Sequence, residues 1–104
     1  MIESAAEFCR LRASDKQDEY ARAASEEAPL QVWHDVVAQF SDMRFWVAQN
    51  KTVPMEILAI LADDSDGHVR HMVASKRKLS SPLQMKLSAD REESVRRALV
   101  GNQK

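Results

Sequence analysis

The chain is short of the residues that punctuate and cross-link small folds: two glycines, three prolines and one cysteine in 104 residues. So few glycines argue against a turn-rich all-β fold. A single cysteine cannot close an internal disulfide. No long apolar run is present either. The longest, Ile57 to Ala62, is far below the ~20 residues a membrane helix requires. Met1 to Arg10 lacks the basic start and apolar stretch of a secretory leader, so a cytoplasmic protein is expected. Excess charge of one sign is also missing. Fifteen Lys and Arg stand against sixteen Asp and Glu, a net charge of −1, which argues against generic phosphate-backbone binding as the main task. What is abundant is apolar (44%) and charged (30%) side chains together. That balance is neither disordered nor fibrous. Residues 1–104 are of a length for one helical domain.

The order in this composition is a repeat. Comparing the sequence with itself at an offset of 26 gives seven identities over the 33 comparisons that start at Arg44 against Arg70, where unrelated sequences would give roughly two. They are Arg44/Arg70, Val47/Val73, Ala48/Ala74, Leu61/Leu87, Asp64/Asp90, Val69/Val95 and Arg70/Arg96. Ile57/Leu83, Val53/Leu79, Asp66/Glu92 and Trp46/Met72 keep their chemistry. A degraded copy precedes these at offset 25, with Tyr20 opposite Phe45, Ala23 opposite Ala48, Pro29 opposite Pro54 and Val36 opposite Leu61. Periods of about 20–50 residues are the mark of stacked repeats.

Each unit reads as two short helices. Pro54 suits a helix start and is followed by Ile57, Leu58 and Leu61 at helical spacing. A break is expected at 63–67, then a second helix with Val69, Met72 and Val73 on one side and Asp66 as N-cap. Pro82, Leu83 and Leu87, then Val95, Ala98 and Leu99, repeat the plan. Upstream, Pro29 opens a helix carrying Val32, Trp33, Val36, Val37 and Phe40, followed by Met43 to Asn50. Two N-terminal helices, about 3–13 and 16–25, complete eight helices in four hairpins. A hairpin of this size buries too little apolar surface alone, so neighbours must stack into an extended array.

The segment Leu61-Ala62-Asp63-Asp64, Val69-Arg70, Val73-Ala74 resembles HEAT repeats and the bacterial leucine-rich repeat variant, in which an acid six residues before an arginine recurs. The likeness implies an all-α solenoid and an arginine ladder, with Asp64/Arg70 and Asp90/Arg96 as structural ion pairs. Arg44 has Ala38 at the acid position, so the ladder is expected to lose its acid there. A looser likeness runs through residues 26–33, Asp42-Met43-Arg44, residues 46–54 and Lys76-Arg77-Lys78. It is similar to small bacterial HEAT-like proteins encoded beside toxins, some of them immunity proteins of contact-dependent growth inhibition. It implies a non-enzymatic protein that binds one cognate toxin domain and needs no cofactor.

Candidates for chemistry fail on spacing. Residues 62–67 imitate a calcium loop, but its first place is Ala62 and its twelfth Val73, so the bidentate carboxylate is missing. His68 and His71 share a helix face without a third ligand at a recognisable spacing. Cys9 lies among Phe8 and Leu11 and reads as a small apolar residue, and Trp33 and Trp46 read as core. No Gly-rich phosphate loop or Ser-His-Asp motif is recognisable.

One place beyond each ladder arginine stand Phe45, His71 and Arg97, joined by Tyr20. If the second helices line the concave side, these four form a stripe of the residue types that anchor protein interfaces, with Asp42, Gln49, His68, Ser75, Ser94 and Gly101 around it. Charge is divided along the chain: residues 1–43 hold four basic against nine acidic side chains, a balance of −5, and residues 44–104 hold eleven against seven, a balance of +4. A basic partner, such as a nuclease toxin, would be steered to Asp15, Asp18, Glu19, Glu26, Glu27 and Asp35. Lys51 with Lys76-Arg77-Lys78 forms the one basic patch that favours nucleic acid. The expectation is a monomer that binds a protein, with a scaffold or adaptor role as the alternative.

Overall fold

The computed structural model describes residues 1–102. It is all-helical, with α1 (Ala5–Ala13), α2 (Gln17–Ser25), α3 (Leu30–Gln39), a 3-10 turn at Ser41–Met43 continuous with α4 (Arg44–Gln49), α5 (Met55–Leu61), α6 (Gly67–Ala74), α7 (Ser81–Ser88) and α8 (Glu93–Asn102). Among the described residues no helix is long and apolar enough to cross a membrane. The helix starts follow local chemistry. Ser4 accepts the Glu7 N–H and Asp66 accepts the His68 N–H, each satisfying one of the orphan donors of a first turn. Pro29 and Pro54 stand in extended backbone just ahead of α3 and α5, where a missing N–H costs nothing. The first helix begins at Ala5 rather than residue 3 because Ser4 takes the cap. Gly67 lies in the first turn of α6 rather than in the break.

The even-numbered helices pack in sequence, α2 on α4, α4 on α6 and α6 on α8, and each odd-numbered helix packs against its own hairpin partner. The molecule measures 36 × 25 × 20 Å. Ala23, Ala48 and Ala74, one repeat step apart, are buried, so small side chains stand where successive helices approach. The core holds Ile57, Leu58, Leu61, Val69, Val73, Leu83, Leu87, Val95 and Leu99 toward the C-terminus and larger groups toward the N-terminus. There Phe8 meets Trp33 edge-on at 5.4 Å, and Ile2, Leu11, Val32 and Val36 are buried in the same core.

Polar joints run between the hairpins, and their pairing differs from the expected one. Arg44 Nη1 lies 3.2 Å from Asp64 and Arg70 Nε 2.8 Å from Asp90, so each arginine meets the carboxylate twenty residues ahead. The residue six places before holds it by backbone instead: Arg70 donates to the Asp64 carbonyl at 2.7 Å and Arg96 to the Asp90 carbonyl at 2.5 Å. Arg44 donates to the Val37 carbonyl at 2.8 Å. The acid missing at Ala38 therefore costs Arg44 nothing, contrary to the sequence expectation. Asp64/Arg70 and Asp90/Arg96 are joined through carbonyls, and the ion pairs are Arg44–Asp64 and Arg70–Asp90. Asp64 and Asp90 also accept the N–H of the residue two places on, which fixes each carboxylate in its turn before it meets the arginine.

Candidate protein-binding face

Each helix of the even-numbered row carries one residue of the expected stripe: Tyr20 on α2, Phe45 on α4, His71 on α6 and Arg97 on α8. Position in the repeat puts them there. The neighbouring ladder arginines point into the joints, and one residue further round the helix turns away from them. Tyr20 is 42% exposed, and His71 and Arg97 are exposed as well. Phe45 is half-buried, packed against the core and edge-on to Trp46 with ring centroids 4.8 Å apart. It thus serves core and surface at once. Arg97 reaches back to Glu93 at 2.9 Å in an exposed i,i+4 pair, a contact worth a few tenths of a kcal/mol and easily exchanged for a partner's carboxylate.

Tyr20 borders an open cleft of about 360 Å³ between α2 and α4, lined also by Arg12, Ala24, Trp46, Gln49 and Lys51. The Arg12 guanidinium stacks 3.5 Å over the Trp46 ring, and its Nε, buried, has no hydrogen-bond partner. The indole face is what compensates it. Trp46 is consequently half-buried under an arginine rather than sealed in the core like Trp33. Nothing in the sequence signals this pairing, because the two residues are 34 apart and belong to different repeats.

The surrounding residues divide. Asp42 and His68 are exposed. His68 Nδ1 lies 3.1 Å from Asp66, which already caps α6, and these contacts hold the Asp66 carboxyl below its ordinary range. Cys9 is a free thiol, half-buried, and burial, with the charge of Asp42, pushes its pKa up. Asp18 is exposed, whereas Glu19 is half-buried and engaged. Arg10 at 2.9 Å and the Ser14 hydroxyl at 2.8 Å hold Glu19, and these hydrogen bonds lower its pKa. Glu26 is engaged too: Arg22 grips it at 2.5 and 3.1 Å, and with the N-terminal amine lowers its pKa to about 2. Asp35 accepts from Gln31 at 2.9 Å. Of the six acids expected to steer a partner, Asp15, Asp18 and Glu27 are exposed. Among the described residues no three His, Cys, Asp or Glu side chains gather as metal ligands.

The basic patch also changes character. Lys76 turns its ammonium inward to the carbonyls of Gln49 (3.2 Å) and Asn50 (2.9 Å), and burial pulls its pKa down. One repeat step earlier Asn50, wholly buried, does the same for the hairpin before: Nδ2 donates to the carbonyls of Ala23 (2.8 Å) and Glu26 (3.1 Å). Its Oδ1 accepts from the Thr52 N–H and hydroxyl. These residues satisfy the carbonyls that end α2 and α4. Sequence reasoning passed over Asn50, although its place 26 residues before Lys76 was the available signal. Lys51, Arg77 and Lys78 remain as the exposed cations of a groove of about 560 Å³ floored by Val53 and Leu58.

No family model matches the chain, and no curated protein and no solved structure matches it.

Proposed function

We propose that the chain is a stack of four HEAT-like hairpins that binds a protein, and that this protein is a cognate toxin domain which it neutralises in the cytoplasm by covering the active site. The observation that carries the binding role is the row α2–α4–α6–α8 with one aromatic, histidine or arginine side chain per helix. Such side chains anchor interfaces, and one face of a molecule 36 × 25 × 20 Å can supply the ~800 Å² per partner of a standard inhibitory interface. The choice of a toxin rests on the sequence likeness and on the division of charge, −5 in residues 1–43 and +4 in residues 44–104. Exposed Asp15, Asp18 and Glu27 suit a basic nuclease domain. Inhibition of this kind is steric and needs neither cofactor nor chemistry.

Co-expression with the product of the adjacent gene tests the reading. A stable co-purifying complex together with rescued growth supports an immunity role. A complex without rescue leaves an adaptor on the same face. Nucleic-acid binding, the remaining alternative, would show as affinity for labelled RNA or DNA falling steeply with salt and dependent on Arg77 and Lys78. The inward-turned Lys76 weakens it.

A further inference from the structure

Two clefts adjoin along one edge of the molecule. Lys51 lines both of them: the cleft between α2 and α4, with Arg12, Tyr20 and Gln49, and the groove that Arg77 and Lys78 border over Val53, Met55 and Leu58. No acidic side chain lines either one. Glu26 meets this loop only through its carbonyl, which accepts from Asn50 and Thr52, while its carboxylate is held by Arg22. Glu56 follows Met55 on α5 but lines neither cleft.

The cations of this edge are left without anions. Arg22, Arg44 and Arg70 each end on a carboxylate, whereas Arg12, Lys51, Arg77 and Lys78 have none among the described residues. Arg12 carries the argument furthest. Its guanidinium lies 3.5 Å over the Trp46 ring, with Nε buried and unpartnered. The indole attracts the cation but offers no oxygen to its N–H donors. A carboxylate entering the cleft would accept two of them in parallel, and the stack holds the guanidinium in place beforehand, so less freedom is lost on binding. The other cations continue the line. Lys51 and Arg77 are one repeat period apart, so they recur at about the 8–10 Å spacing of packed helices. Two such steps lead from α2 to α6, roughly 20 Å, which about six residues of extended chain would span.

We propose that this edge binds an extended acidic peptide segment of a partner protein, with one carboxylate at Arg12, others at Lys51 and at Arg77 with Lys78, and an aliphatic side chain between them on Val53, Met55 and Leu58. The site lies beyond the toxin reading. It takes an acidic segment where the toxin would offer a basic surface to Asp15, Asp18 and Glu27, and it shares only Tyr20 with the stripe. Single-stranded nucleic acid, the other flexible polyanion, is held by aromatic faces on which its bases stack. Here Trp46 carries Arg12 over its ring, and no aromatic side chain lines the groove beside Arg77 and Lys78.

Fluorescence polarisation of the full chain with a fluorescein-labelled peptide of about eight residues, glutamates interrupted by two leucines, tests this. The expected result is saturable binding that weakens with salt. An all-glutamate peptide should bind several-fold more weakly, and the counterpart with lysine for glutamate should not bind. Arg12→Gln should weaken binding at least tenfold, and so should Lys51→Glu combined with Arg77→Glu. The double variant lies on exposed loop positions, so it stays informative if Arg12→Gln disturbs Trp46; circular dichroism confirms that each variant is folded. No saturable binding below about 1 mM, equal affinity for the lysine peptide, affinity unchanged in both variants, or tighter binding of an oligothymidylate of equal length overturns the proposal. None of these measurements involves the adjacent-gene product, so the toxin reading stands or falls separately.

Discussion

The two halves of the molecule are joined in different ways. From α4 onward successive hairpins are tied by a recurring arginine, Arg44 to Asp64 and Arg70 to Asp90, over a core of leucine and valine. From α1 to α3 the ladder is absent, and large apolar side chains do the work: Trp33 and Phe8 are buried edge to face, with Ile2 and Leu11. Asn50 and the Arg12–Trp46 stack then join this half to the next. A guanidinium–carboxylate joint demands particular residues at particular spacings, so it keeps the repeat legible. Aromatic packing tolerates many sequences of the right volume, so the repeat there fades.

Trp33→Ala should be the most damaging single change, costing about 3–5 kcal/mol because the cavity cannot close round Phe8 and Val36. Chemical denaturation reads it directly. If the N-terminal half were a loose appendage to the ladder, its unfolding would separate from the rest instead of lowering one common midpoint.

Asp90→Ala strips the carboxylate from Arg70, whose side chain is 3% exposed, and a buried ion pair broken on one side costs about 3–5 kcal/mol. Glu92 can answer part of that, so the loss should fall at the lower end. Asp64→Ala should cost clearly less, because Arg44 is 30% exposed and water can reach it. Equal losses at the two joints would show that burial does not grade the ladder.

Asn50→Ala leaves the Ala23 carbonyl without its buried donor, while the Glu26 carbonyl keeps the Thr52 hydroxyl at 3.4 Å, and should cost about 1–3 kcal/mol. Lys76→Ala should cost less, since Lys76 is only partly buried. The contrast says whether the two capping residues, one repeat apart, are equivalent.

Acid should weaken the N-terminal half through Glu19 and Glu26 and the ladder through Asp90. Burial opposes ionisation of Asp90, but the Glu92 N–H and Arg70 hold its pKa below the ordinary value. All three pKa values are lowered on folding. Their stabilisation is therefore complete above the unfolded values near 4 and lost as pH falls through the folded values, down to about 2 for Glu26. A pH titration of the melting temperature should slope downward below about pH 4.5. Arg22→Gln should flatten the lowest part of that slope.

The smallest effect is expected at Gly67. A Cβ there would meet the Glu92 carboxylate at 2.5 Å, but that carboxylate ends a flexible, half-exposed side chain. It can swing aside, and Gly67→Ala should change the midpoint by less than the ~1 kcal/mol of helix propensity that alanine adds.

Much of this architecture was readable in advance because helix periodicity, proline placement and the 26-residue echo all report local backbone choices. Eight helices and their order followed from them. The partner of each arginine did not, because residues 6 back and 20 ahead both carry acids at Arg70, and only packing decides which carboxylate arrives. The face divides the same way. Tyr20, His71 and Arg97 could be placed by register, since helix geometry turns them away from the joints. The engagement of Glu19 with Arg10 and Ser14, of Glu26 with Arg22, and of Lys76 with backbone carbonyls could not, since each depends on contacts formed only on folding.

The most direct test of the central claim is the affinity for the adjacent-gene product, by titration calorimetry, of folded Phe45→Ala, His71→Ala and Arg97→Ala against the parent chain. At least one substitution should weaken binding by about 2 kcal/mol or more, roughly thirtyfold. Unchanged affinity in all three, with a complex still formed, would contradict the assignment of the α2–α4–α6–α8 row as the binding face.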